Sequence, residues 1–271
     1  MTTRPCSSLR RGAWLLMVVL VLAAGCGDAG TRPQTSATPA STSAPATTVA
    51  AVDKPCLEAP ESARTLRFTT SAGATLVGLV LGAGRTGLVL GHQLGSDLCE
   101  WLPQARAFAK RGYQVLAFDF AGFGDSEHAS GPDARVDTDV VAAAEQLRRR
   151  GAEQIVLIGS SMGGTAVLSA ATRIRPKVAG VVSLSGASFF RGVDAEAAMA
   201  RLRVPLLLVA ATDDPLFLEQ ARVLYRAARV RSKRLLVVPG GGHGTSMLEF
   251  GDDAPRVLAA VQGFISRHTG H

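Results

Sequence analysis

Ile155-Val-Leu-Ile-Gly-Ser-Ser-Met-Gly-Gly-Thr165 decides how this chain folds. Ile155 to Ile158 form a short continuous apolar run, the pattern of a strand buried on both faces, and the small residues from Ala166 to Thr172 read as a helix. Between them lies G-x-S-x-G. Gly159 and Gly163 suit a sharp turn from strand into helix, because larger residues would clash with the strained nucleophile backbone and with the helix packing back on the strand. Such an elbow exposes Ser161 Oγ at the C-terminal edge of a parallel sheet. Ser160, its neighbour, cannot share that direction and points elsewhere.

A motif this short arises by chance in a chain with 29 glycines, so its surroundings carry the weight. Leu88-Val-Leu-Gly-His-Gln-Leu-Gly95 is an apolar strand running into a His-containing loop. An elbow serine needs backbone N–H groups aimed at a developing oxyanion. One comes from the residue after the nucleophile, Met162, and one from a loop after an earlier strand, for which Leu94 is predicted and Gln93 is the alternative. Val115-Leu-Ala-Phe-Asp-Phe-Ala-Gly-Phe-Gly-Asp-Ser126 is a strand with a glycine-punctuated turn. Leu206-Leu-Leu-Val-Ala-Ala-Thr-Asp-Asp-Pro215 and Leu235-Leu-Val-Val-Pro-Gly-Gly-Gly-His-Gly244 are strands ending in loops, the first with carboxylates and the second with a histidine. The chain order is Ser, Asp, His.

From about residue 65 to 271 the chain resembles the α/β-hydrolases. The resemblance rests on the elbow Gly159-Ser-Ser-Met-Gly163, on Asp119-Phe-Ala-Gly-Phe-Gly-Asp-Ser126, which is similar to that family's D-x-R-G-x-G-x-S turn, and on His243 after the last strand. Two positions depart from the family pattern: Gln93 stands where Gly usually follows the oxyanion-loop His, and Ala121 replaces the common Arg. The fold implied is a doubly wound, mostly parallel α/β sheet. A serine needs a base to take its proton, and His243 is the histidine at the end of a late strand. An acid must hold the imidazole tautomer. Asp213 and Asp214 both follow the strand at Pro205 to Ala211, and the resemblance favours Asp214, leaving Asp213 as a solvated neighbour. His92 is expected to be structural, His128, His268 and His271 to lie at the surface, and no metal or cofactor is expected.

Export is written at the N-terminus. Arg4, Arg10 and Arg11 precede an apolar run from Ala13 to Ala24, long enough for a signal peptide and short of the about 20 residues of a comfortable membrane span. Leu22-Ala-Ala-Gly-Cys26 resembles the bacterial lipobox, which makes residues 1–25 the signal peptide and Cys26 the lipidated first residue. Thr, Ser, Ala and Pro dominate from Thr31 to Thr48, so 26–50 is expected to be a disordered tether and 51–271 one hydrolase domain. The formal charge of +7 falls to +4 after residues 1–25, with 26 basic and 22 acidic side chains, and nucleic-acid binding is not suggested. Cys56 and Cys99 remain in a compartment where disulfides persist. They are expected to pair, two separately buried thiols being the alternative.

Apolar runs alternate with helical patterns at Trp101 to Arg111, Val136 to Arg150, Thr165 to Arg173, Leu216 to Ala228 and Pro255 to Ser266, after an antiparallel hairpin at Thr65 to Thr70 and Ala74 to Leu81. Between the strands at Val178 to Ser185 and at Pro205 there is room for one short helix near Asp194 to Arg201 and none for a lid domain. The functional expectation is an extracytoplasmic serine hydrolase, held to the membrane through its lipid and cleaving a small-molecule ester, thioester or amide. The alternative is a non-catalytic lipoprotein that keeps the fold for binding or envelope assembly.

Overall fold

The computed structural model describes residues 52, 54–62 and 64–270. The predicted signal peptide, Cys26 and the tether therefore lie outside the described residues. Strands β1 (Thr65–Thr69), β2 (Thr75–Leu81), β3 (Thr86–Gly91), β4 (Gln114–Phe118), β5 (Gln154–Ser160) and β6 (Gly180–Leu184) come first in the chain. A two-residue ribbon follows, β7 (Phe189–Phe190) with β8 (Val193–Asp194), and then β9 (Leu206–Ala211) and β10 (Lys233–Val238). The main sheet has the order β1-β2-β4-β3-β5-β6-β9-β10. β1 and β2 form the expected antiparallel hairpin and β2 joins β4 antiparallel; every other neighbour pair in the sheet is parallel.

The central strands β3, β4, β6 and β9 are buried along their whole length because both faces of the sheet are covered. Along β5, Ile155 and Leu157 turn to one core, while Val156 and Ile158 turn to another, the period-two alternation of a strand. The first core is closed by α3 (Val136–Arg149), α4 (Met162–Ala170) and α5 (Ala195–Arg201). The second is closed by Trp101 and by α2 (Leu102–Lys110), with the buried Phe108, and by α8 (Ala254–Thr269), with Phe264. Also present are α1 (Ala59–Ser62), α6 (Pro215–Ala227), α7 (Ser246–Glu249) and a 3₁₀ turn at Leu98–Trp101. Residues 185–205 hold only the β7–β8 ribbon and α5, whose N-cap Asp194 accepts the Ala197 N–H at 2.8 Å.

The boundary that bears on the elbow differs from the sequence reading. The helix after the elbow starts at Met162, not at Thr165, so Gly163 and Gly164 lie inside it and are buried. Glycine disfavours helix by about 1 kcal/mol, but here contact overrides propensity. A Cβ on Gly163 would lie 2.2 Å from the Gly91 carbonyl oxygen, and one on Gly159 would lie 2.2 Å from the Gly163 oxygen. Only glycines let α4 approach β3 and β5 this closely. The expected disulfide between Cys56 and Cys99 is present and ties the segment before α1 to the 3₁₀ turn.

Candidate active site

The loops at the C-terminal ends of β3, β5, β9 and β10 meet at one edge of the sheet. At the end of β5, Ser161 has φ 50° and ψ −108°, a left-handed conformation that costs a non-glycine residue about 1–3 kcal/mol. Its backbone is held on both sides. The Ser161 N–H donates to the Leu184 carbonyl of β6 at 2.8 Å, and its carbonyl accepts the Thr165 N–H at 3.0 Å. The side chain is half-buried, and its Oγ carries no hydrogen bond among the described residues.

His243 follows β10 and Asp214 follows β9. Their side chains meet, with His243 Nδ1 and Asp214 Oδ2 2.7 Å apart. Asp213 does not take part: it is exposed and accepts the Thr212 hydroxyl at 3.2 Å. Asp214 is fixed because its carbonyl accepts the Leu218 N–H in the first turn of α6. The imidazole packs edge-on against the Phe217 ring, centroids 4.4 Å apart. With Nδ1–H donated to the carboxylate, Nε2 is left as the proton acceptor.

The oxyanion loop is wired from beneath. The Gly163 N–H of α4 donates to the His92 carbonyl at 3.1 Å, which binds loop to elbow. His92 is buried; its Nδ1 bonds the Gln93 carbonyl at 2.7 Å and its Nε2 accepts the Phe120 N–H at 3.1 Å. Burial pushes its pKa down to about 4, so it sits neutral in the structural place expected of it. The Gln93 N–H is spent on the Glu100 carboxylate at 2.8 Å. Neither the Met162 nor the Leu94 N–H is taken up by another group among the described residues.

Several supporting residues carried no sequence signal. Glu100, its pKa raised by burial, also accepts the Thr245 hydroxyl at 3.0 Å. Ser160 Oγ accepts the Thr245 N–H at 3.2 Å and donates to Gln93 Oε1 at 3.4 Å. The Gly244 N–H donates to Ser185 Oγ at 3.2 Å. One polar cluster thus joins the His243 loop to the oxyanion loop, from residues 93 to 245. Lys54 was equally silent in the sequence. Its buried ammonium lies 3.0 to 3.1 Å from Asp97, Asp119 and Asp125. Burial disfavours that charge, but the three carboxylates outweigh it and raise the pKa. The glycine-punctuated turn is therefore structural: Asp119 also accepts the Leu98 and Asp125 N–H groups at 2.8 and 2.9 Å. His128 lines a cavity of about 240 Å³ beside Phe123 together with Arg135, Arg191 and the buried Asp139.

This edge is acidic. Residues 92–97, 119–135, 185–194, 212–214 and 239–253 hold eleven Asp and Glu against Arg135 and Arg191, with Lys54 set among three of the acids.

Residues 87–199 match the family model described as alpha/beta hydrolase fold. A 2-hydroxy-6-oxononadienedioate/2-hydroxy-6-oxononatrienedioate hydrolase of Paraburkholderia phymatum is 32% identical over 108 residues, 39% of this chain and 38% of that protein. A carbendazim hydrolyzing esterase of a Nocardioides species is 30% identical over 80 residues, 30% of this chain and 33% of that protein. The chain thus aligns with well under half the length of these relatives. Among solved structures, a monoacylglycerol lipase of Paleococcus ferrophilus superposes with a TM-score of 0.62 at 20% identity, covering 72% of this chain and 99% of that one. An esterase from a Rhodococcus species gives 0.63 at 20% identity, over 76% and 99%.

Proposed function

We propose that this chain, a protein with the α/β-hydrolase fold, is an extracytoplasmic serine hydrolase that cleaves a carboxylic ester through an acyl-enzyme. Ser161 Oγ attacks the ester carbonyl while His243 Nε2 takes its proton, and Asp214 stabilises the imidazolium that results. The carbonyl oxygen becomes an oxyanion facing the Met162 and Leu94 N–H groups at the N-terminus of α4 and in the oxyanion loop. His243 then protonates the leaving alkoxide, and the alcohol departs. Water, deprotonated by the same imidazole, attacks the acyl-serine and releases the acid. Thioesters and amides would follow the same course.

The observation that carries this reading is the 2.7 Å contact of Asp214 with His243 beside a serine in strained elbow geometry. The unformed Ser161 to His243 hydrogen bond is compatible with it, since such bonds often tighten only with substrate bound. The acidic edge favours neutral or cationic esters, because a dianionic substrate would meet an excess of carboxylates there. The anchor belongs to the same proposal: cleavage after residue 25 and acylation of Cys26, with 26–50 as tether.

A fluorophosphonate probe tests the chemistry. It should label the wild type and Ser160→Ala but not Ser161→Ala. Labelling that survives Ser161→Ala and disappears with Ser160→Ala would refute the assignment of the nucleophile. A folded wild type that the probe leaves untouched would favour the non-catalytic binding protein.

A further inference from the structure

The edge opposite the candidate active site has the reverse charge. β3, β4, β5, β6, β9 and β10 all begin there, and the connections leading into them are residues 82–85, 110–113, 148–153, 171–179, 201–205 and 228–233. Together these hold fourteen Lys and Arg and one acid, Glu153. Three of the cations meet carboxylates: Arg85 pairs with Glu153, Arg149 with Glu145 and Arg173 with Asp137. Arg175 and Arg203 donate only to backbone carbonyls, and Lys233 donates to two while lying 4.4 Å over the Tyr225 ring, so none of the three meets a carboxylate. The side chains of Lys177, Arg229 and Arg231 have no hydrogen bond or ion pair among the described residues. Arg203, Arg229 and Arg231 line one shallow cleft, and Arg203 with Arg175 and Lys177 lines the next.

We propose that this basic end rests on an anionic phospholipid surface, so that the candidate active site at the acidic end faces the aqueous phase. The inference rests on the anchoring part of the functional reading. A tether of about 25 residues reaches on the order of 30 Å as the flexible spacer its composition predicts. A domain of this size has a radius of gyration of roughly 17 Å. The domain is thus kept within its own diameter of the lipid. The tether does not itself choose the end. The Val52 N–H donates to Thr65 Oγ1 on the outer strand β1, and Thr65 stands level with Leu79 and Ala117, on the flank of the sheet. Charge makes the choice, since each basic residue near an anionic bilayer strengthens binding about fivefold.

Two alternatives are weaker on the same observations. Leu94, Phe189, Leu216 and Phe250 are the large apolar side chains most exposed among the described residues, and all lie at the acidic end. Dipping them into the bilayer would bring the excess of carboxylates at that end against lipid phosphates. Nucleic acid is disfavoured because the six basic connections offer no exposed aromatic side chain on which a base could stack.

The test uses residues 26–271 with Cys26→Ala, so that neither an acyl group nor an uncleaved signal peptide contributes, and vesicles of phosphatidylcholine with or without phosphatidylglycerol, which supplies the anionic surface. Sedimentation should show binding that needs phosphatidylglycerol and weakens at high salt. Combining Lys177→Glu, Arg229→Glu and Arg231→Glu should weaken it at least about a hundredfold. The same triple variant should keep the p-nitrophenyl acetate hydrolysis and circular dichroism of its parent. Equal binding by parent and triple variant would overturn the proposal, as would binding that persists in the triple variant and is lost with Phe189→Ser and Leu216→Ser. An inactive but vesicle-binding parent would sink the hydrolase reading and leave the docking surface standing.

Discussion

Asp139 is a buried carboxylate held without a cation, and replacing it should stabilise the protein in a pH-dependent way. It sits in the first turn of α3 at 2% exposure, and its Oδ2 accepts the Ala121 N–H at 3.0 Å. Arg135, the nearest cation in sequence, is spent on Asp137. Burial, with a smaller contribution from the Asp137 charge, raises the Asp139 pKa to about 7. A raised folded-state pKa means that stability is fullest below the unfolded value of about 3.9 and is lost as pH rises through 7. A shift of about three pKa units corresponds to roughly 4 kcal/mol. Asparagine keeps the acceptor for Ala121 and removes the charge. Asp139→Asn should therefore add up to roughly 4 kcal/mol of unfolding free energy at pH 8 and only roughly 1 to 2 kcal/mol at pH 5. Urea titrations followed by the fluorescence of the buried Trp101 measure both values. An equal gain at the two pH values, or a loss at pH 8, would refute the reasoning and show that Arg135 or Arg191, which line the same cavity, already compensates the charge.

Asp214→Asn should cut kcat by about 10⁴-fold through the wrong imidazole tautomer, whereas Asp213→Asn should leave it nearly unchanged; steady-state kinetics on p-nitrophenyl acetate compare them. Glu100→Ala frees the Gln93 N–H and the Thr245 hydroxyl together. Because misplacing a catalytic group by about an ångström costs up to about a hundredfold, kcat should fall roughly tenfold to a hundredfold with little change in KM. Cys26→Ala should abolish acylation and leave unprocessed precursor or released protein of unchanged specific activity, read by mass spectrometry of the N-terminus and by membrane fractionation.

What the sequence made legible was local. The elbow, the carboxylates after β9 and the histidine after β10 each lie within a few residues of a strand end, and a strand buried on both faces announces itself as an apolar run. Contacts that join distant segments left no trace. Glu100 lies in the 3₁₀ turn ahead of α2 and reads like any solvated acid, yet it binds residues 93 and 245. Lys54 reads as a surface lysine and proves to be the counter-ion of three aspartates. The start of α4 was misplaced for the same reason, since the need for glycine at 163 comes from β3, about seventy residues earlier. Two-residue strands such as β7 and β8 are too short to show any periodicity.

The same contrast explains the departure at Gln93. Judged against the family pattern alone, a long side chain after the oxyanion-loop histidine looks disruptive. In the folded chain, however, the Gln93 amide reaches Ser160, where Oε1 lies 3.4 Å from Oγ. That placement constrains the His243 loop in turn. Gly244 has φ 61°, and a Cβ there would fall 2.9 Å from Gln93 Oε1 and 2.0 Å from Ser160 Oγ. A glutamine at 93 and a glycine at 244 therefore belong together: the space the side chain fills on one loop is space the other loop leaves empty. The strain-free left-handed turn that glycine permits is also what lets the Gly244 N–H reach Ser185 and the Thr245 N–H reach Ser160. Enlarging Gly244 should thus disturb both loops at once, whereas shortening Gln93 should loosen the single contact with Ser160.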